Sequence, residues 1–300
     1  NYHSLNFFTS DSASSKSAMI YSAPAVNGHN DLAPSGSFSF DFYVKPKAAS
    51  LPYQAGTILH MSSCYAISII SGSNLSPDGR PENFRIALQL SQSADLPPSS
   101  LLVDGNTATS AFGDPGFVYL SKDNSLSRDT WHHVCLRWPG SQNYNGVGNI
   151  TIDGKINTEF QITSASVMSA TSSAPGTNDP DCLFLGNYYE GNNSGNNMVA
   201  KFFAPDIAIH EGLIASTDVT KGDPGRYRFA HPLNAEIHDV KIFDRYRTDH
   251  EISYTQISGS NIEDGMLFYV PPFFVKESRE RSLLQTPFEE VSGSTQHPFS

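Results

Sequence analysis

The chain is short of charge. Of its 300 residues only 16% are Asp, Glu, Lys or Arg, and Ser, Thr, Asn and Gly fill the deficit. Helical proteins draw on Ala, Leu, Glu and Lys, so this composition leans toward strands and turns. Basic charge is scarcest: the net charge is −11, and the densest basic cluster, 276–281, is broken by Glu277 and Glu280. Nucleic acid is thereby excluded as a partner, because replacing phosphate counterions takes a basic stripe. Cysteine is also rare. Cys64, Cys135 and Cys182 match no zinc spacing. Cys135 lies inside an apolar strand pattern and reads as a buried thiol, one disulfide with a leftover thiol being the other arrangement open to the three. No run approaches 18 apolar residues, so no membrane insertion through a helix is expected. The sequence opens on Asn1 without a signal-peptide pattern, as a processed product or a piece of a longer chain would.

What is present in quantity is aromatic. The 19 Phe and 13 Tyr can supply a core, each buried ring removing roughly 150–250 Å² from water. Phe38, Phe40, Phe42 and Val44 alternate with Ser39, Asp41 and Tyr43. Period two puts the Phe side chains on one face of a half-buried strand, and Pro46 stops it. Residues 18–21 form a short apolar run that reads as an earlier strand. Further strands are expected at 57–61, 65–70, 84–90, 116–120, 133–138, 149–152, 159–163, 182–185, 235–243 and 266–270. Gly, Pro, Asn and Asp separate them, as turns require. Residues 248–254 are the best short helix. Such spacing argues for an all-β, two-sheet antiparallel sandwich and against a βαβ fold.

Two stretches read as long surface loops, the Ser/Ala/Thr/Pro-rich 165–181 and the Asn-rich 189–198. After Val270 the pattern changes. Pro271-Pro272 ends the last strand, and 271–300 carries no periodicity. The expected organisation is one domain over 1–270 and an extended C-terminal arm over 271–300. Phe273, Phe274 and Phe288 would anchor that arm to protein partners, in a homo-oligomer or a larger assembly.

The segment from Trp131 to Lys155 is the most informative. Val134, Leu136 and Trp138 share one face of a strand. A Gly/Asn-rich loop follows, then Asn149–Ile152 and an Asp153-Gly154 turn that favours positive φ. A Trp-x-His-Val strand followed by a strand ending in Asp-Gly-Lys resembles the laminin-G, pentraxin and concanavalin A-like jelly-roll superfamily. Residues 235–245 with Glu251-Ile252 resemble its closing strand and short helix. Residues 183–186 resemble the strand between them, and 36–44 the early strand. The resemblance spans the core motifs of 36–255. The loop at 140–148 and the insertion at 187–232 are longer than usual and lengthen one rim.

The resemblance implies a scaffold and leaves function open, because this superfamily hosts glycan binders, protein binders, virion modules and glycosidases. Its hydrolases often set their carboxylates as Glu-x-Asp-x-x-Glu on one strand, and that triplet does not occur here. The 236–239 stretch has the wrong spacing. The expectation is no enzyme. His132 and His133 point to opposite faces of a strand, so they are read as structural and not as a shared metal site. Ca²⁺ is the credible ion, since the resemblance implies a loop-rim site of Asp, Asn and backbone oxygens. Asp104, Asn106, Asp179 and Asp181 are its candidate ligands, in oxygen-rich loops that also include Asp114 and Asp123-Asn124. Such residues are also ordinary turn formers. Glycan binding needs exposed aromatics with amides beside them, for which Tyr144, Tyr188, Tyr189 and Asn192 are the candidates. Asn74, Asn149 and Asn192 open N-x-Ser/Thr sequons.

Three functions stay open. The leading one is a non-catalytic structural and adhesion module of an extracellular or virion surface. The Ser/Asn/Gly-rich loops and low charge resemble lectin-like domains of tailed-phage virion proteins. The second is a Ca²⁺-dependent glycan-binding domain of a secreted or surface protein. The third is a glycoside hydrolase with an atypical site.

Overall fold

The computed structural model describes residues 4–7, 18–22, 25–26, 29–30, 32, 36–47, 56–61, 64–90, 118–140, 146–161, 182–188, 231–258 and 264–270. These hold, in chain order, the strands β1 (Leu5–Phe7), β2 (Met19–Ser22), β3 (Ala25–Val26), β4 (His29–Asn30), β5 (Phe38–Pro46), β6 (Gly56–Met61), β7 (Tyr65–Ser71), β8 (Asn83–Leu90), β9 (Val118–Leu120), β10 (Leu126–Ser127), β11 (His132–Trp138), β12 (Val147–Ile152), β13 (Lys155–Gln161), β14 (Cys182–Leu185), β15 (Ala235–Phe243) and β16 (Met266–Val270). One helix, α1 (Asp249–Ser258), precedes β16.

Fourteen of these strands form two seven-stranded antiparallel sheets, and β3 and β4 pair with each other in a two-stranded one. The first has the order β1-β15-β5-β11-β12-β13, with β16 also on β15. The second has the order β10-β8-β7-β6-β14-β2, with β9 on β8. Side chains from both sheets make one buried apolar cluster between them, including Phe40, Phe42, Val134, Leu136, Trp138 and Ile237 from the first and Ile67, Ile69, Phe84, Ile86 and Leu185 from the second. Phe38 packs on Trp138 at 5.3 Å, and Phe40 meets Tyr65 edge-on across the sandwich at 4.7 Å. The chain is thus the all-β jelly-roll sandwich that its alternation calls for.

Differences from the sequence expectations are local. β13 begins at Lys155, four residues before the expected start, because Asp153 and Gly154 (φ 51 and 74) return the chain in a two-residue turn. Leu5–Phe7 is a strand on β15, and its Phe7 ring lies over Gly186, where an added Cβ would sit 2.0 Å from the ring. Gly186, at φ 89, is therefore fixed both by conformation and by contact. β5 is not half-buried: Ser39 and Asp41, on the face away from the core, are as enclosed as the Phe residues. The helix is α1, capped by Thr248. The Glu251 carboxylate accepts from the Thr248 amide at 2.6 Å, and the Glu251 amide donates to the Thr248 hydroxyl at 3.3 Å. No helix of the described residues is long and apolar enough to cross a membrane.

Candidate functional site

The outer face of the first sheet, away from the core, carries the polar side chains of β5, β11, β12 and β15. Its two ends differ. At one end the chain leaving β15 folds back over the sheet. The Arg247 amide donates to the Ser39 hydroxyl at 3.0 Å, and that hydroxyl donates to the Arg245 carbonyl at 2.8 Å. The Arg247 guanidinium pairs with Asp41 and lies 4.3 Å over the Phe243 ring. Asp41 also meets His133 Nε2 at 2.7 Å. Arg137 donates to Asn149 Oδ1 at 2.9 Å, to the Arg247 carbonyl at 2.9 Å and to Thr151 at 3.2 Å, and it pairs with Asp249 at 2.7 Å. These buried charges are matched by partners, as burial demands. Burial, with Asp41 nearby, pushes the Cys135 thiol well up, so it is inert.

At the other end the face opens on Trp131, which is 37% exposed. A row of rings leads to it. His133 packs on Tyr43 (4.7 Å), Tyr43 stacks nearly parallel on His238 (4.6 Å, 13°), and His238 meets Trp131 at 4.7 Å. The row follows from register, since β5 pairs Tyr43 with both His133 and His238. His238 precedes a bulge where Asp239 takes φ 51. The Asp239 carboxylate contacts His238 Nδ1 at 3.1 Å and accepts from the Tyr269 hydroxyl at 2.8 Å. On the approach to β11, Asp129 is also left-handed, and its amide donates to the Pro46 carbonyl at 2.7 Å. Two left-handed aspartates thus set the geometry around Trp131, the kind of backbone strain that clusters at binding sites.

Charged groups alternate beside the ring. The Lys45 ammonium lies 6.0 Å from the Trp131 centroid and 3.7 Å from Glu236. Lys47 pairs with Glu236 and reaches Asp129 at 3.9 Å, and Arg128 meets Asp129 at 3.9 Å. The Ser4 hydroxyl donates to Glu236 at 2.8 Å. Burial alone would raise the Glu236 carboxyl, but hydrogen bonds from Lys47 and Ser4 outweigh it and hold it below its usual range. The hydrogen bond to Glu236 likewise raises the Lys47 ammonium.

Known proteins offer a likeness of shape. A Bacteroides ovatus protein described as a candidate carbohydrate binder matches over 90% of this chain and 51% of its own, at 12% identity and a TM-score of 0.47. A heptameric SAP-like pentraxin from Limulus polyphemus matches over 85% and 95%, at 11% identity and a TM-score of 0.41. The CBM40 of a Ruminococcus gnavus IT-sialidase, bound to α2,3-sialyllactose, matches over 84% and 96%, at 8% identity and a TM-score of 0.39. The chain spans about half the length of the first of these. No family model and no curated protein sequence matches it.

The residues expected to form sites fare unevenly. Tyr188 is a correction: it is 1% exposed and stacks on His60 at 4.2 Å, so it is an anchor of the second sheet and not a platform for sugar. Its neighbour Asn187 accepts from the amides of Tyr188 (2.9 Å) and His231 (3.2 Å), fixing both ends of the long insertion against that sheet. Tyr144, Tyr189, Asn192, Asp104, Asn106, Asp114, Asp179, Asp181, Phe273, Phe274 and Phe288 lie outside the described residues. Asp123 and Asn124 serve a turn. Asp123 accepts from the Ser73 amide at 3.1 Å and Asn124 from the Asn74 amide at 3.0 Å. Among the described residues no three His, Cys, Asp or Glu side chains could hold one metal ion.

His132 and His133 face opposite ways. His132 accepts from the Ser127 amide at 2.9 Å, so its other nitrogen donates to Asp153 at 2.8 Å. Asn149 is enclosed by Arg137 and Tyr246 and offers no open amide to a glycan. Cys64 and Cys135 are free thiols. In the sequence Trp131 stands at the head of a strand motif and carries no mark of a site. The missed signal was its place just outside that strand, after Asp129-Thr130, where its ring need not enter the core.

Proposed function

We propose that the chain is a non-catalytic recognition module with a lectin-like fold, built into a larger extracellular or virion-surface assembly, and that carbohydrate is its ligand. The observation that carries the ligand class is Trp131. A half-exposed indole, supported from behind by His238 and Tyr43 and bordered by hydrogen-bonding groups, suits the apolar face of a pyranose ring. Against catalysis stands the state of the nearby carboxylates, since Asp41, Glu236 and Asp239 are each committed to a neighbouring side chain. A general acid with a shifted pKa and an open approach is a different arrangement.

A glycan array tests the module. Binding by the wild-type chain that is lost in Trp131→Ala supports the reading. Turnover of a β-glucan by the wild type would sink the non-catalytic half of it. The assembly half predicts that deleting 271–300 turns a defined oligomer into a monomer on a sizing column. The calcium-dependent form of the lectin, with ligands among Asp104, Asn106, Asp179 and Asp181, predicts a melting temperature that rises with Ca²⁺ and falls with chelator.

A further inference from the structure

We infer that the Trp131 face selects neutral hexopyranosides over acidic sugars. The inference rests on the carbohydrate-binding reading and sharpens it to a ligand class. Its basis is charge balance. Among the described residues, the charged groups within one or two contacts of the indole are three cations, Lys45, Lys47 and Arg128, and three carboxylates, Asp129, Glu236 and Asp239. Each of these cations has a carboxylate partner, so among the described residues no uncompensated positive charge waits there for a sialate or uronate. An acidic sugar would have to displace Glu236 or Asp129 from its lysine, in a chain already carrying −11.

A neutral sugar meets no such cost. Each of its hydroxyls both donates and accepts, and the strip offers the same alternation, ammonium beside carboxylate beside ammonium. The Lys45–Glu236 pair, 3.7 Å apart beside the ring, presents one donor and one acceptor to two neighbouring hydroxyls. The indole takes the C–H face of the same ring. Selection comes from a hydrogen-bonding edge and an apolar floor together, and the sugars that satisfy both are uncharged hexopyranosides with free adjacent hydroxyls.

The two tryptophans make the test direct. Trp138 is buried in the core and Trp131 is open, so acrylamide quenching of the intact chain reports Trp131. The wild type is titrated with methyl β-glucoside, methyl β-galactoside and lactose as neutral probes, and with galacturonate and sialyllactose as acidic ones. Neutral probes are expected to protect the indole from quencher, and acidic ones to need concentrations higher by about tenfold or more. Glu236→Gln frees Lys45 and leaves Lys47 with Asp129 alone, and is expected to narrow or invert that ratio, which a merely structural Glu236 would not do. Trp131→Phe, checked for folding by circular dichroism, is expected to lose the signal.

The outcomes separate. Acidic probes binding equally well or better overturns the neutral selection and leaves a carbohydrate module. Glycan-array binding without any protection of Trp131 also overturns it, with a glycan site elsewhere. Absence of binding to every glycan overturns both readings.

Discussion

Two ends of one sheet face start from the same pattern and end in opposite states. Both are built from the outward residues of β5, β11 and β15, and both are polar. At the Ser39–Asp41 end the chain after β15 turns back, and Arg247 and Arg137 become buried ions held by the side chains of Asp41, Asp249, Asn149 and Thr151. At the Lys45–Trp131 end nothing among the described residues closes the face over the indole, and the ions there sit in surface pairs. Polarity on an outward strand face therefore says little about function. What decides is whether a later segment lands on it, and here the segment of 244–252 lands on one half only.

The contrast can be broken at its closed end. Arg247→Ala leaves the Asp41 carboxylate buried with its main cation gone. The expected loss is about 3–5 kcal/mol in urea denaturation, because an unpaired interior charge keeps its desolvation cost. A loss below about 1 kcal/mol would mean the pair behaves like a surface bridge, and the two ends would then be alike. The charge-for-apolar replacement Asp41→Leu with Arg247→Met is expected to recover part of the loss and not all of it, since it relieves the buried carboxylate but takes from His133 Nε2 its Asp41 contact.

Much of the sandwich could be read from the amino acids, and the reason lies in particular strands. Phe38 to Val44 and Val134 to Trp138 alternate with period two against a single core, so their faces were legible before any pairing was known. The Asp153-Gly154 turn announced its positive φ. Leu5–Phe7 was not legible, because three residues carry no period and their pairing partners, Ala235 to Ile237, lie far along the sequence on β15. The site was legible in the wrong places. Tyr188 looked like a rim aromatic beside an Asn-rich loop, and only the tertiary stack on His60 withdraws it. Trp131 opens an apolar strand motif, and period two sets it opposite Val134, Leu136 and Trp138 without saying whether that face stays open. Exposure of a ring depends on the sheet edge it reaches, which local sequence does not encode.

The second sheet offers a sharper form of the comparison, because its outer face at Thr57, Ser68 and His231 is closed as well. Thr57 holds Ser68 at 3.0 Å and His231 Nδ1 at 3.1 Å. Burial lowers the His231 pKa from 6.5 to about 4. The folded chain therefore keeps His231 neutral where the unfolded chain takes up a proton. Stability from this residue is complete above about pH 6.5 and is lost as pH falls toward 4. The full drop is on the order of 3 kcal/mol. Wild type measured in urea at pH 7 and pH 4.5 should show most of it, and His231→Gln should flatten the difference. An unchanged pH slope in the variant would mean that this face is open to water, like the Trp131 end.

The smallest effect concerns the device that keeps the closed end closed. Thr248 starts α1, and its reciprocal bonds with Glu251 hold the segment that carries Arg247 onto Asp41. Burial would raise the Glu251 carboxyl, but the Thr248 amide and hydroxyl, with Arg245 and Arg247, bring it below its usual range. Thr248→Ala removes one side of that box and is expected to cost about 1 kcal/mol. The loss should appear as fraying of 249–258 in hydrogen exchange, with Trp131 quenching unchanged. If quenching of Trp131 also rose, the two ends would be one cooperative unit, and the open end would owe its shape to the cap that closes the other.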